Sequence, residues 1–153
     1  MPESERHEIK PTSAERFFNR LMGFLVGYGL GPRYMRLLQV RGRKSGRIFT
    51  TPVNLVVLDG RRFLVAARGD TAWSRNARAS GEVTLKRGAN LDRCRVVEIP
   101  DGDKPQVLKA FLDTYASQVQ RFFPVEAGSP VEAFREMAPR APVFELQSMS
   151  TSS

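Results

Sequence analysis

The dipeptide Asp59–Gly60, set between the β-rich stretches "IFTTPVNLVVL" and "RRFLVAA", constrains this chain more than any other feature. Asp-Gly is a hairpin signal because both residues tolerate the positive φ that matches the twist of the flanking strands. The two stretches must therefore run antiparallel and side by side. A second hairpin reads from "EVTLKR" through "GAN" into "LDRCRVVEIP", and "MRLLQV" and "APVFELQS" are further strand candidates. Pro52 predicts a bulge or an edge position in its strand. Helical patterns do not alternate regularly with these strands, which disfavours a parallel βαβ sheet. The resulting reading is an α+β domain around a small barrel or curled sheet.

Helices flank this β-rich centre. Thr12 and Glu15, at capping-box spacing, start a helix near Ser13, and apolar residues continue at helical spacing to Tyr28 before "GYGLGP" breaks it. A short helix is expected in "DTAWSRNARAS", with Asp70 or Thr71 as its N-cap. A longer one from about Pro105 to Phe122 would bury Val107, Leu108, Phe111, Leu112, Tyr115 and Val119. "PVEAFREM" reads as one more short helix. At 153 residues this organises as a flexible tail over 1–12, one domain over 13–147, and a disordered tail over 148–153.

Lys and Arg total 24 against 16 Asp and Glu, a formal net charge of +8 that favours anionic partners. The lone Cys94 excludes an intramolecular disulfide and fits a reducing, cytoplasmic compartment. His7, the single histidine, stands in the charged N-terminal tail, so neither a Ser-His-Asp triad nor a Cys-His pair is expected, and no metal site. The stretch "FFNRLMGFLVGYGL" is interrupted by Asn19 and Arg20 and is too short to span a bilayer. Its apolar face is expected to pack on the domain; peripheral contact of the 13–28 helix with the inner face of the membrane is the other option. No catalytic residue is identifiable, so any chemistry is borrowed from a cofactor. Tyr115 and Tyr28 are weak candidates to deliver a proton.

Two segments carry the chemistry. In "RGRKSGRIFTTP" (41–52), Gly42 and Gly46 permit a tight turn between strands whose tip N–H groups are spared ladder pairing. Arg43 and Lys44 bring charge, and Ser45, Thr50 and Thr51 bring hydroxyls, a composition suited to a discrete phosphate. In "AARGDTAWSRNARAS", Trp73 and Asn76 lie three apart and share a helix face, with Arg78 close behind. An aromatic plane, an amide and a guanidinium suit a flat heteroaromatic ligand with an anionic tail. A nucleic-acid surface ranks last, because no aromatic residue interleaves the basic loop before Phe49.

Together "GRKSGRIFTTPV" and "DGRRFLVAARGDTAWSRNARASGEVTL" resemble the deazaflavin-dependent nitroreductase family of actinobacteria, closely in order and spacing over roughly residues 33–99. The resemblance implies a split β-barrel of about six mostly antiparallel strands with flanking helices, binding coenzyme F420, a deazaflavin with a phosphate and a glutamate-rich tail. By motif position, Gly42, Arg43, Lys44 and Ser45 would meet the phosphate or tail, with Arg47, Thr50 and Thr51 nearby and Pro52 shaping the cradle. Ala66 and Ala67 would lie under the ring, and Trp73, Asn76 and Arg78 would complete the site. Ile48 and Phe49 stand where family members often carry a proline and a basic residue. The implied activity is hydride transfer from the reduced cofactor to a quinone, enone or nitroaromatic. The alternatives are an FMN-binding split-barrel oxidoreductase and a non-catalytic carrier of the deazaflavin or of a lipid-like ligand. Analogy with related flavin proteins implies a homodimer.

Overall fold

The computed structural model describes residues 35–149. The helix expected over 13–28, with Tyr28 and the suggested membrane contact, lies outside the described residues. Seven strands form one sheet: β1 (Met35–Arg41), β2 (Ile48–Asn54), β3 (Val56–Leu58), β4 (Arg61–Val65), β5 (Glu82–Arg87), β6 (Asn90–Glu98) and β7 (Val143–Ser148). Helix α1 (Ala72–Ser80) precedes β5, and α2 (Lys104–Val119) follows β6 and runs into a 3-10 turn at Gln120–Phe122. The "PVEAFREM" segment forms a 3-10 turn, Val131–Phe134, rather than an α-helix.

The strand order is β2-β1-β5-β6-β7-β4-β3, and every pairing is antiparallel. This order forces curvature. Seven strands laid flat span about 29 Å between the outer two, yet β2 and β3 at the two edges are joined by Leu55 alone, and two residues reach at most about 7 Å. The sheet therefore rolls until its edges nearly meet, an α+β split barrel open between β2 and β3. The stretch 48–58, continuous in its β-pattern, leaves one edge and begins the other at Leu55, which raises the strand number from about six to seven. Pro52 sits on edge strand β2, where the missing N–H costs no ladder bond. The hairpin turn has φ 54° at Asp59 and 75° at Gly60, as a type I′ turn requires.

Alternation along the strands builds two cores. Leu64 on β4 and Phe144 and Leu146 on β7 point into the barrel with Leu38, Val40, Val83, Leu85, Cys94 and Val96, and Ala77 of α1 caps them. Phe63, Val65 and Val143 point outward against α2, where Val107, Leu108, Phe111, Leu112, Tyr115 and Val119 are all buried. This is why "RRFLVAA" and "APVFELQS" read as nearly continuous apolar runs: both of their faces are covered. Strand β7 continues through Ser148, and Met149 N–H donates to Arg93 O at 3.0 Å, so ladder pairing extends past residue 147.

Cys94 lies inside the barrel beside Arg62, which also pairs with Asp92 at 2.6 Å. Burial pushes its thiol up to about 11, leaving no thiolate nucleophile at neutral pH. Among the described residues no group of His, Cys, Asp and Glu converges as metal ligands, and no helix is long and apolar enough to cross a membrane.

Candidate functional site

Loop 41–48 is a compact hairpin rather than an open cradle. Gly42 N–H donates to Arg47 O at 2.7 Å, Gly46 N–H to Gly42 O at 3.0 Å, and Arg47 N–H to Ser45 Oγ at 3.2 Å. A Cβ at Gly42 would stand 2.5 Å from the Phe49 ring, so this position excludes a side chain while Phe49 stays in place. Gly46 takes φ 76°. The tip N–H groups are outside the strand ladder as expected, and within the turn those of Gly42, Gly46 and Arg47 are already taken.

The partner of Arg43 lies on α1. Asn76, 5% exposed, accepts from Arg43 N–H at 3.1 Å and from Arg43 Nη1 at 2.7 Å through the same Oδ1. One buried amide therefore fixes both the backbone and the guanidinium of the basic loop. Trp73, one helical turn earlier on the same face, packs its ring 6.0 Å from Phe144 and so belongs partly to the barrel core. Residues of α1 three apart share a face, whereas Arg78 lies about 200° round the helix from Asn76.

Between the loop, β2, the end of β4, α1 and the far end of α2 lies a cavity of about 1280 Å³. Gly42, Arg43, Lys44, Ser45, Thr51, Pro52, Ala66, Ala67, Trp73 and Asn76 line it. Arg47, Thr50 and Arg78 do not. On β2 the cavity is lined by Phe49 and by the four residues from Thr51 to Asn54, and Thr50 stands exposed beside them. Arg78 is turned to the outer surface, donating to Glu98 Oε1 at 2.7 Å and Oε2 at 2.9 Å and pairing with Asp70 at 3.3 Å. Tyr115 is buried and donates its hydroxyl to Leu55 O, a tie between α2 and the β2–β3 junction, and it is not part of the wall.

Other residues join the wall that residue patterns did not indicate. Residues 116–122 of α2 and its 3-10 extension close one side, as does Arg68 directly after the alanine pair. Asn54 Nδ2 donates to Gln118 Oε1 at 2.9 Å, anchoring this helix end to β2. Among the described residues the wall carries Arg43, Lys44, Arg68 and Arg121 and no carboxylate. The N-terminus of the nine-residue α1 opens on it through Thr71, Ala72 and Trp73, adding the positive end of a helix. Thr71, 8% exposed, has a hydroxyl without a hydrogen-bond partner among the described residues, as does Asn54 Oδ1. Such orphaned atoms on a cavity wall are hydrogen-bonding capacity that a ligand can take up.

A basic wall, small side chains at Ala66 and Ala67 and an adjoining indole describe a site for a flat anionic ligand. Comparison with known proteins gives the family. The family model of the F420H(2)-dependent quinone reductases matches residues 13–131. The chain belongs to this family. It is an F420-dependent oxidoreductase, and its cofactor is coenzyme F420.

No curated protein matches the chain. Several solved structures share the fold of this reductase. One is described as a domain-swapped dimer, 20% identical over 88% of this chain and 93% of that one, with TM-score 0.54. Another is an F420-H2 dependent reductase, 20% identical over 75% and 95%, with TM-score 0.51. A third is an FAD-binding protein from Mesorhizobium loti, 13% identical over 86% and 89%, with TM-score 0.52. At these identities the likeness concerns the split barrel alone.

Proposed function

We propose that this reductase binds F420 in the cavity beside loop 41–48 and passes its hydride to a quinone-type acceptor. Arg43 and Lys44, with Ser45, take the phosphate and acidic tail; Ala66 and Ala67 leave room for the ring; Trp73 flanks it. The observation that carries this reading is the basic lining of the cavity, where Arg43 and Lys44 of the loop stand beside Ala66, Ala67 and Trp73. When bound and reduced, the cofactor supplies the hydride. The chain's part is to orient the cofactor and the acceptor, keep water from the reacting face, and stabilise the charge left on the acceptor. By likeness to the domain-swapped dimer among its structural neighbours, the assembly is a homodimer.

FMN is the cofactor to test against F420 at this cavity. Fluorescence titration with both cofactors separates the readings. F420 should bind at least about tenfold more tightly than FMN, because its several carboxylates add charge-assisted contacts. The F420-loaded protein should also oxidise F420H2 when a quinone is added. Binding of FMN without any response to F420 would remove the proposal. Lys44→Ala, at an exposed loop position, should weaken F420 binding by about tenfold and leave the melting temperature within about 1 °C. A large stability loss with intact binding would make the loop's charge structural.

A further inference from the structure

Helix α1 begins on the cavity wall with an N-cap residue whose side chain does not cap. Thr71 has the extended backbone of that position, φ −94° and ψ 178°, yet makes no side-chain capping bond. A threonine there ordinarily accepts from the N–H of the second or third helical residue. Its hydroxyl instead has no hydrogen-bond partner among the described residues, although Thr71 is only 8% exposed and lines the cavity. The first intrahelical bond runs from Arg75 N–H to Thr71 O at 3.0 Å, so the N–H groups of Ala72, Trp73 and Ser74 lie ahead of it. The first turn carries no acidic residue. Asp70, just before the helix, does not line the cavity; its carboxylate accepts from Ser74 Oγ at 2.7 Å and pairs with Arg78 at 3.3 Å.

A buried hydroxyl without a partner and the positive end of a helix both suit an oxygen that carries negative charge. Their place in the cavity says which oxygen. Asn76 holds the basic loop through Arg43, and Thr71 lies five residues earlier, about 7.5 Å along the helix axis. Trp73 stands between them on the wall. Gly69 N–H donates to Ala66 O at 3.1 Å, which turns the chain from the alanine pair towards α1. A ligand whose acidic tail sits at the loop and whose ring lies over Ala66 and Ala67 brings a polar edge of that ring to Thr71.

We propose that Thr71 and the N-terminus of α1 form a subsite for the ionised ring of F420, the hydroxyl donating to a ring oxygen, and that this subsite selects 8-hydroxy-deazaflavins over neutral rings of the same size. This rests on the assignment of F420 to this cavity. The 8-hydroxyl is conjugated through the ring to the pyrimidine carbonyls, so on ionisation its charge is shared by oxygens at both ends of the ring. A ring with a methyl group at that position carries no such charge. The loop grips the tail and cannot tell these rings apart; Thr71 can.

The test uses the full chain and two probes that lack phosphate and tail: 8-hydroxy-5-deazariboflavin and 5-deazariboflavin, whose ring bears methyl groups and no 8-oxygen. Each is titrated by calorimetry in mildly alkaline buffer, where the 8-hydroxyl is ionised. The ionised ring should bind at least about tenfold more tightly, as a charge-assisted hydrogen bond at a helix N-terminus allows. Thr71→Val keeps the shape and removes the donor. It should lower F420 affinity and bring the ratio down to about threefold, the share left to the helix end. Thr71→Ser retains the donor and should keep the preference. Without ligand, Thr71→Val should melt no lower than the unmodified protein, because the hydroxyl it removes has no partner to lose. A clear fall in that melting temperature would assign the hydroxyl to a bond inside the protein and overturn the proposal. So would a preference that Thr71→Val leaves unchanged. Equal binding of the two rings while F420 itself binds would remove this inference and leave the cofactor assignment standing. Failure to bind F420 at all would remove both.

Discussion

Asn76→Ala is expected to weaken F420 binding by about 100-fold and to cost about 1 kcal/mol of stability, the ordinary net worth of the hydrogen bonding it removes. The amide oxygen is the meeting point of Arg43 N–H and Arg43 Nη1, and it is 5% exposed. Alanine leaves both donors without it and releases the basic loop from α1. Positioning of charged groups is what a preorganised anion site depends on, so affinity falls further than stability. Asn76→Asp separates the two effects. Aspartate can still accept from Arg43, so urea unfolding should match the unmodified protein within about 1 kcal/mol. It also places a carboxylate on the cavity wall, next to an anionic ligand, and binding should again drop by about tenfold or more. Full affinity in Asn76→Ala would mean that the loop holds its shape without α1.

Phe144→Ala should be the most damaging single change in the barrel. The side chain is 1% exposed on β7, at the centre of the interior cluster, and its ring lies 6.0 Å from that of Trp73. Truncations of this kind cost about 3–5 kcal/mol, against a total of about 5–15 kcal/mol for a typical domain. The shift in urea midpoint measures it. Trp73 loses its backing at the same time, so its emission should move to longer wavelength and F420 affinity should fall. Phe144→Leu, which keeps most of the volume, should cost less than about 1.5 kcal/mol. If alanine costs no more than leucine, the barrel closes around the gap and Trp73 does not depend on Phe144.

Local signals in the sequence proved readable where the physics is local. The hairpin at Asp59–Gly60, the buried face of α2 from Val107 to Val119, and the edge placement of Pro52 follow from turn geometry, helical period and a missing N–H. The position of Arg78 was also within reach, since two helical steps separate it from Asn76. What local pattern does not carry is the long-range closure. Nothing near Leu55 signals that one residue joins opposite edges of a sheet. Nothing near residue 120 signals that the end of α2 folds over the cavity. The bond from Arg43 to Asn76 spans 33 residues. It gives the physical reason for the loop motif and the Trp-x-x-Asn helix to occur together: one of them positions the other.

Trp73 is the chain's only tryptophan and lies on the cavity wall, so its emission reports directly on whether F420 occupies this cavity. Titrating the full chain with F420 should quench that emission saturably, with one cofactor per chain, and Lys44→Ala should shift the curve to higher concentration. If F420 binds by its own fluorescence polarisation while Trp73 emission stays unchanged, the cofactor lies elsewhere and the site described here is not the one the reductase uses.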